Sequence, residues 1–303
     1  MTVTPASIAR SKQMPTLSAS PRARKAAAKR RFEVLLRMLG ALTVLMIVLL
    51  PLFWMLASSF KPNIELFQRP PSIFTANPTF EHYVELWEFT SFPRYFLNTF
   101  LVAGISCLAG VIISLITVYS ITRFEFIAAR VFAFGILIIY MLPPILLALP
   151  FFRIWYNLNM LNSLWALGIT YLTITLPFSL WILRPYIEAI PQALEEAAMI
   201  DGCTRFQAFR KVIVPQAWPG IVASFVFTFV VVWNELLYSL VLISDEAKRT
   251  VSLGIASLIL ETSVYSWGLV NAAGVLATVP VLFLFAFAAR QMVSGLGAGA
   301  VKG

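Results

Sequence analysis

Few side chains in this sequence could do chemistry. It has one histidine, His82, and two cysteines, Cys107 and Cys203. A single imidazole builds no metal cluster, and the cysteines lack metal-ligand spacing or a plausible disulfide partner in each other. A Ser/His/acid triad would have to use His82, yet no G-x-S-x-G turn accompanies it, so His82 reads as a solvated loop residue. No Gly stands directly before a Lys, so the phosphate-cradling G-x-x-x-x-G-K-[ST] loop is missing. What remains is Glu235, just past the uncharged run 212–234, with Asn234 and Tyr238 beside it. An acid at membrane depth costs up to roughly 3 kcal/mol if central and unpaired, which makes it a functional candidate by default.

The elements that would position these residues are apolar helices. Of the 303 residues 59% are hydrophobic and 12% charged. A soluble fold of this size carries about twice that charge. A soluble enzyme, a disordered chain and a disulfide-rich secreted domain are therefore excluded. Six stretches contain no Asp, Glu, Lys or Arg: 38–60, 95–122, 131–152, 154–183, 212–234 and 262–289. Each suits one helical crossing of about 20 residues. Barrel strands would be shorter and alternate with period two, which is not seen. The expectation is an all-α membrane protein with six transmembrane helices, near 38–58, 96–121, 131–152, 164–183, 217–242 and 267–289.

Charge sets the orientation. Most of the 23 Lys and Arg fall in 1–37, 123–130, 184–211 and 290–302, and few in 61–94, at Arg153, or at Lys248 and Arg249. The positive-inside rule puts the first set, and both termini, in the cytoplasm. The net charge of +9 then orients the chain, and nucleic-acid binding is not needed to explain it. Residues 1–31 contain no acid and are rich in Ser, Ala, Arg and Lys. They read as a disordered basic cytoplasmic tail, with a transit peptide as the alternative; a cleaved signal peptide fits poorly. The six-span transmembrane domain would be 32–303.

Several local features are legible. Glu81–Trp87 reads as a short interfacial helix in an otherwise Pro-rich loop. Gly104, Ser106, Gly110 and Ser114 give a small-residue stripe for close helix packing. Pro143-Pro144 predicts a bend or break in the third span, either lining a transport path or serving as a packing kink. Residues 153–163 read as a polar, aromatic outer turn.

The long inner loop, 186–215, reads as two short helices. Pro191 suits the first helical position and Asp201-Gly202 ends the first helix. Thr204-x-x-Gln207 fits a capping box for the second. Phe206, Phe209 and Val212 would share its apolar face. Ala197 and Ala198 leave little bulk, so this is either a docking elbow for another protein or an interfacial hairpin with no partner.

Glu196-Ala197-Ala198, three residues, Gly202, nine residues, then Val212-x-Val214-Pro215 resembles the EAA signature, E-A-A-x3-G-x9-I-x-L-P, of ABC importer permeases. Val212 and Val214 stand where Ile and Leu are usual. The ending 293–303 and Trp233-Asn234-Glu235 are similar to the smaller permease subunit of maltose-type sugar transporters, with Gly297 in place of an expected Thr. The resemblance covers roughly residues 35–303. It implies the ABC importer permease fold and a multi-pass place in a bacterial inner membrane. It implies a non-catalytic subunit for carbohydrate import, with no cofactor of its own; ATP and Mg would sit on a partner. Those partners would be a second homologous permease, two ATP-binding subunits and an extracytoplasmic sugar-binding protein. Glu196, Ala197, Ala198, Asp201, Gly202 and Pro215 would then couple to the ATPase. Asn234, Glu235 and Tyr238 would either line the translocation path and bind sugar hydroxyls, or Glu235 would be capped by the partner permease. An ion-coupled secondary transporter is the main rival. It would need more spans or paired repeats and an intramembrane ion site, for which only Glu235 could serve.

Overall fold

The computed structural model describes residues 21–124, 131, 135, 138, 141–261 and 267–299. Among these the chain is mostly helical, with no strand and an irregular stretch over 68–80. It divides into two units, 1–54 and 55–303. The first contains most of helix α1, Pro21–Ser59, which carries Pro51 internally. Residues 21–31, assigned above to a disordered tail, are thus helical, while residues 1–20 lie outside the described residues.

In the second unit, α2 (Asn63–Leu66) and α3 (Glu81–Glu88) precede α4 (Phe92–Arg123). Within the predicted third span, 132–134, 136–137 and 139–140 lie outside the described residues. Its far half is α5 (Pro144–Asn157), which starts directly after the break at Pro143. The supposed turn at 153–163 thus begins inside a helix. Next comes α6 (Leu164–Glu188), capped by the Ser163 hydroxyl. Among the described residues four helices are long and apolar enough to cross a membrane, or five if the bent segment entering the fifth predicted span counts as one. The predicted third span, 131–152, is the one not among them.

The seam between α4 and α6 is built on small residues. Ser106 Oγ donates to the Gly168 carbonyl at 2.9 Å and Ser114 Oγ to the Leu176 carbonyl at 3.1 Å. A Cβ on Gly110 would collide with Thr175. Such close approach replaces the hydrophobic drive that lipid cannot provide. Gly104 is off the seam, with nothing within 4 Å of its Cβ position.

His82 is buried, contrary to expectation. Its Nε2 pairs with the Lys61 carbonyl at 2.8 Å, and its ring packs where Gly268 leaves no side chain. A polar loop sequence suggested solvent, but the missing Cβ on a distant helix decided the matter.

Candidate functional site

The elbow forms as its local signals dictate. Helix α7, Gln192–Ile200, starts one residue later than expected: Pro191 sits at its N-cap in extended backbone and makes no side-chain cap bond. Its C-terminus closes as a Schellman turn: Cys203 N–H donates to Ala198 O at 3.0 Å and Gly202 N–H to Met199 O at 3.1 Å. Gly202 has φ +89°, a backbone few L-residues adopt. Thr204 then starts α8, Arg205–Ala208, with both arms of the capping box present, 3.3 Å and 2.8 Å.

The second helix departs from simple periodicity. A π-helical turn, Phe209–Ile213, follows α8 and leads into α9, Val214–Gln216. Its wider turn shifts the register. The buried positions are therefore Ala208 and Ile213, with Phe209 half-buried and Phe206 71% exposed. The expected Phe206/Phe209/Val212 face is corrected accordingly. The chain then bends by 70° into α10, Trp218–Trp233.

Of the motif residues, Glu196, Ala197, Asp201, Gly202 and Pro215 are exposed and Ala198 is half-buried. Leu194 and Ala197 share a helix face at i, i+3. Ile200 (86% exposed) continues that face at the next i+3 position, so apolar surface is open around the small Ala197. Two acids, Glu196 and Asp201, edge it.

Glu195, one residue before the motif, is the buried member, 2% exposed. Its carboxylate accepts from the Tyr119 hydroxyl and pairs with Arg123 Nε at 3.3 Å. Arg123 also donates to the Ile190 carbonyl at 2.8 Å. The sequence signal for this was the shared face of positions 195, 198 and 199, which are the buried or half-buried ones of α7.

The second candidate group sits at a broken helix. The expected continuous span 217–242 is interrupted: α10 ends at Trp233 and α11 runs Leu237–Leu242. Glu235 caps α11, accepting from Tyr238 N–H at 2.9 Å and Ser239 N–H at 3.4 Å. Ser252 Oγ donates to the freed Trp233 carbonyl at 3.0 Å. Side chains thus re-satisfy the backbone groups that the break releases. Tyr238 is 1% exposed, its ring edge-on to Phe151, and Asn234 is exposed. The three therefore do not present one common polar surface. Glu235→Ala is expected to lower stability by about 0.5–2 kcal/mol, the range for a lost cap, with uptake falling in parallel. Thermal melting beside uptake checks this; loss of uptake at unchanged stability would give Glu235 a path role instead.

Beyond the break, a further apolar helix, α12 (Val251–Glu261), is fastened back onto α4. Val251 N–H donates to Thr99 Oγ1 at 2.7 Å, and Gly254 lets the Tyr95 ring lie against its backbone. It was missed because its uncharged run is too short to cross a bilayer. The last helix, α13, is Trp267–Gly299. Among the described residues no group of His, Cys, Asp or Glu could hold a metal ion.

Residues 106–296 match the family described as "Binding-protein-dependent transport system inner membrane component". The chain is 36% identical to the diacetylchitobiose uptake system permease protein DasC of Streptomyces coelicolor, over 84% of this chain and 91% of that one. It is 34% identical to the trehalose/maltose transport system permease protein MalG of Thermococcus litoralis, over 90% of this chain and 99% of that one. Its fold is similar to a chain of a bacterial ABC transporter that imports the acidic polysaccharide alginate. There the TM-score is 0.72 at 20% identity, covering 87% of this chain and 97% of the other.

Proposed function

Since the chain belongs to the binding-protein-dependent transport family, as a multi-pass inner-membrane permease of the sugar ABC transporter type, we propose that it forms half of an ATP-driven carbohydrate import path. In this reading six spans cross the bilayer, both termini are cytoplasmic, and the 186–215 loop docks on a separate ATPase. Two ATP-binding subunits supply hydrolysis, a second homologous permease completes the path, and an extracytoplasmic binding protein delivers the sugar. This chain contributes no catalytic group.

The observation that carries the reading is the elbow. A chain with no phosphate-binding loop nonetheless exposes an apolar patch around Ala197, edged by Glu196 and Asp201 and held by a buried anchor. That arrangement suits a protein groove. Nucleotide closure of the ATPase pair would move the elbow, and the elbow would bias the spans between outward- and inward-facing states. The ion-coupled alternative loses support because the Glu235 carboxylate already accepts two backbone N–H groups.

The decisive experiment is reconstitution of the four-component complex in liposomes. Uptake of diacetylchitobiose, trehalose or maltose should require ATP together with the binding protein. Accumulation by this chain alone would overturn the reading. Orientation has its own check. A membrane-impermeant maleimide should label the half-buried Cys203 in inverted vesicles and not in intact cells, while the buried Cys107 stays unlabelled in both.

A further inference from the structure

Beside the apolar packing of Ile213, one polar cluster, outside the recognised signature, ties the first elbow helix to the bundle. Four segments meet there. Arg123 and Tyr119 come from the last turn of α4, and Glu195 from the middle of α7. Arg123 Nη2 also reaches the Ile190 carbonyl at 2.8 Å and the Ile187 carbonyl at 3.5 Å, at the end of α6. The Tyr119 ring packs on Phe209 of the second elbow helix, with centroids 4.7 Å apart. Arg205 closes the group from α8, its guanidinium 5.0 Å from the Phe124 ring centre.

The chemistry of the cluster suits transmission of force. Side-chain exposure of Arg123 and Glu195 is 7% and 3%, so water does not screen the pair. A guanidinium holds its fork rigidly, and here Nε lies in the ion pair with Glu195 while Nη2 donates to the Ile190 carbonyl just past α6. A packed, charged cluster of this kind has a discrete arrangement and resists small sliding. The exposed residues of α7 are free to meet a partner, while Glu195 on the opposite side is not.

We propose that Glu195, Arg123 and Tyr119 form the joint through which α7 and the end of α4 move as one rigid body, so that a displacement of the elbow enters the bundle through α4. The inference rests on the ATP-coupled reading above. Glu195 is a positioning residue here, acting through Arg123 and touching neither nucleotide nor sugar.

The test uses the full complex in nanodiscs. The permease carries Cys107→Ser and Cys203→Ser, with spin labels at Ile116→Cys on α4 and Gln192→Cys on α7. The distance distribution between the labels is measured without nucleotide and after trapping with ATP and vanadate. With Glu195 intact the two distributions should coincide. With Glu195→Gln they should separate on trapping by about 2 Å or more, the scale of helix shifts in switching proteins. Tyr119→Phe, which removes one hydrogen bond and keeps the ion pair, should give a smaller separation, and it decides the matter if Glu195→Gln fails to assemble. A purely stabilising role would lower the melting temperature of the variants without making their label distance state-dependent, and that result would overturn the joint. So would a state-dependent distance in the intact protein. An intact complex that traps no nucleotide overturns the ATP-coupled reading, and the joint with it.

Discussion

Gly202→Val should abolish sugar uptake by the assembled transporter while the permease still inserts and is recovered from membranes. The argument is backbone geometry alone. Gly202 has φ +89°, and nothing lies within 4 Å of its Cβ position, so the new side chain meets no neighbour. An L-residue pays roughly 1–2 kcal/mol for left-handed backbone, and a β-branched one pays more. At about 2 kcal/mol the native turn is disfavoured some 30-fold. The Schellman bonds from Gly202 and Cys203 would open, and the angle between α7 and α8 would no longer be fixed. Gly202→Ala should be milder, because its methyl has space and no branch. A plain helix stop, by contrast, would cost about 1 kcal/mol of local stability and leave transport intact. Uptake assays on both variants, normalised to complex recovered by affinity purification, distinguish the two; normal uptake by the valine variant would end the argument.

The second large effect belongs to the α4–α6 seam. Gly110→Leu should prevent recovery of a stable permease. Even the first added carbon would stand 2.7 Å from Thr175 Cβ. Overpacking a tight core costs about 1–3 kcal/mol, and here both backbones are held together by the Ser106 and Ser114 hydrogen bonds. Gly104→Ala, two turns away with open space around it, should be near neutral. Pairing Gly110→Ala with Thr175→Gly should recover much of the loss, since the two changes act on one contact and their costs are not additive. Recovery after detergent extraction checks Gly110→Leu, and thermal melting compares Gly104→Ala, Gly110→Ala and the Gly110→Ala/Thr175→Gly pair; equal stability of Gly104→Ala and Gly110→Ala would contradict the seam as described.

What was legible in the sequence was local. Gly202 and the Thr204–Gln207 capping box could be read directly, because a cap is satisfied within a few residues of itself. The small residues Ser106, Gly110 and Ser114 were readable as a stripe, though not which helix would fill it. The break at Pro143 followed from the missing amide of proline. What escaped depended on distant partners. Glu195 looked like its neighbour Glu196, and only Arg123, far away in sequence, makes one buried and leaves the other exposed. The interruption after Trp233 carries neither Gly nor Pro in 234–236; it stands because Glu235 and Ser252 replace the lost helical partners. For Tyr238 the polar hydroxyl suggested a path, whereas packing against Phe151 buries the residue.

The wide turn at Phe209–Ile213 gives the signature's spacing a physical meaning. Gly202 and Val212 are separated by nine residues, and the segment between them holds the one residue that an uninterrupted α-helix would not need. Each helical residue advances the azimuth by about 100°. Deleting one residue from 209–213 would let the turn relax to regular pitch and swing Arg205 and Phe206 around the axis by about that angle relative to Ile213. The nine-residue count therefore works as a phase setting, fixing which flank of the second helix stays exposed while the same helix keeps its grip on the bundle.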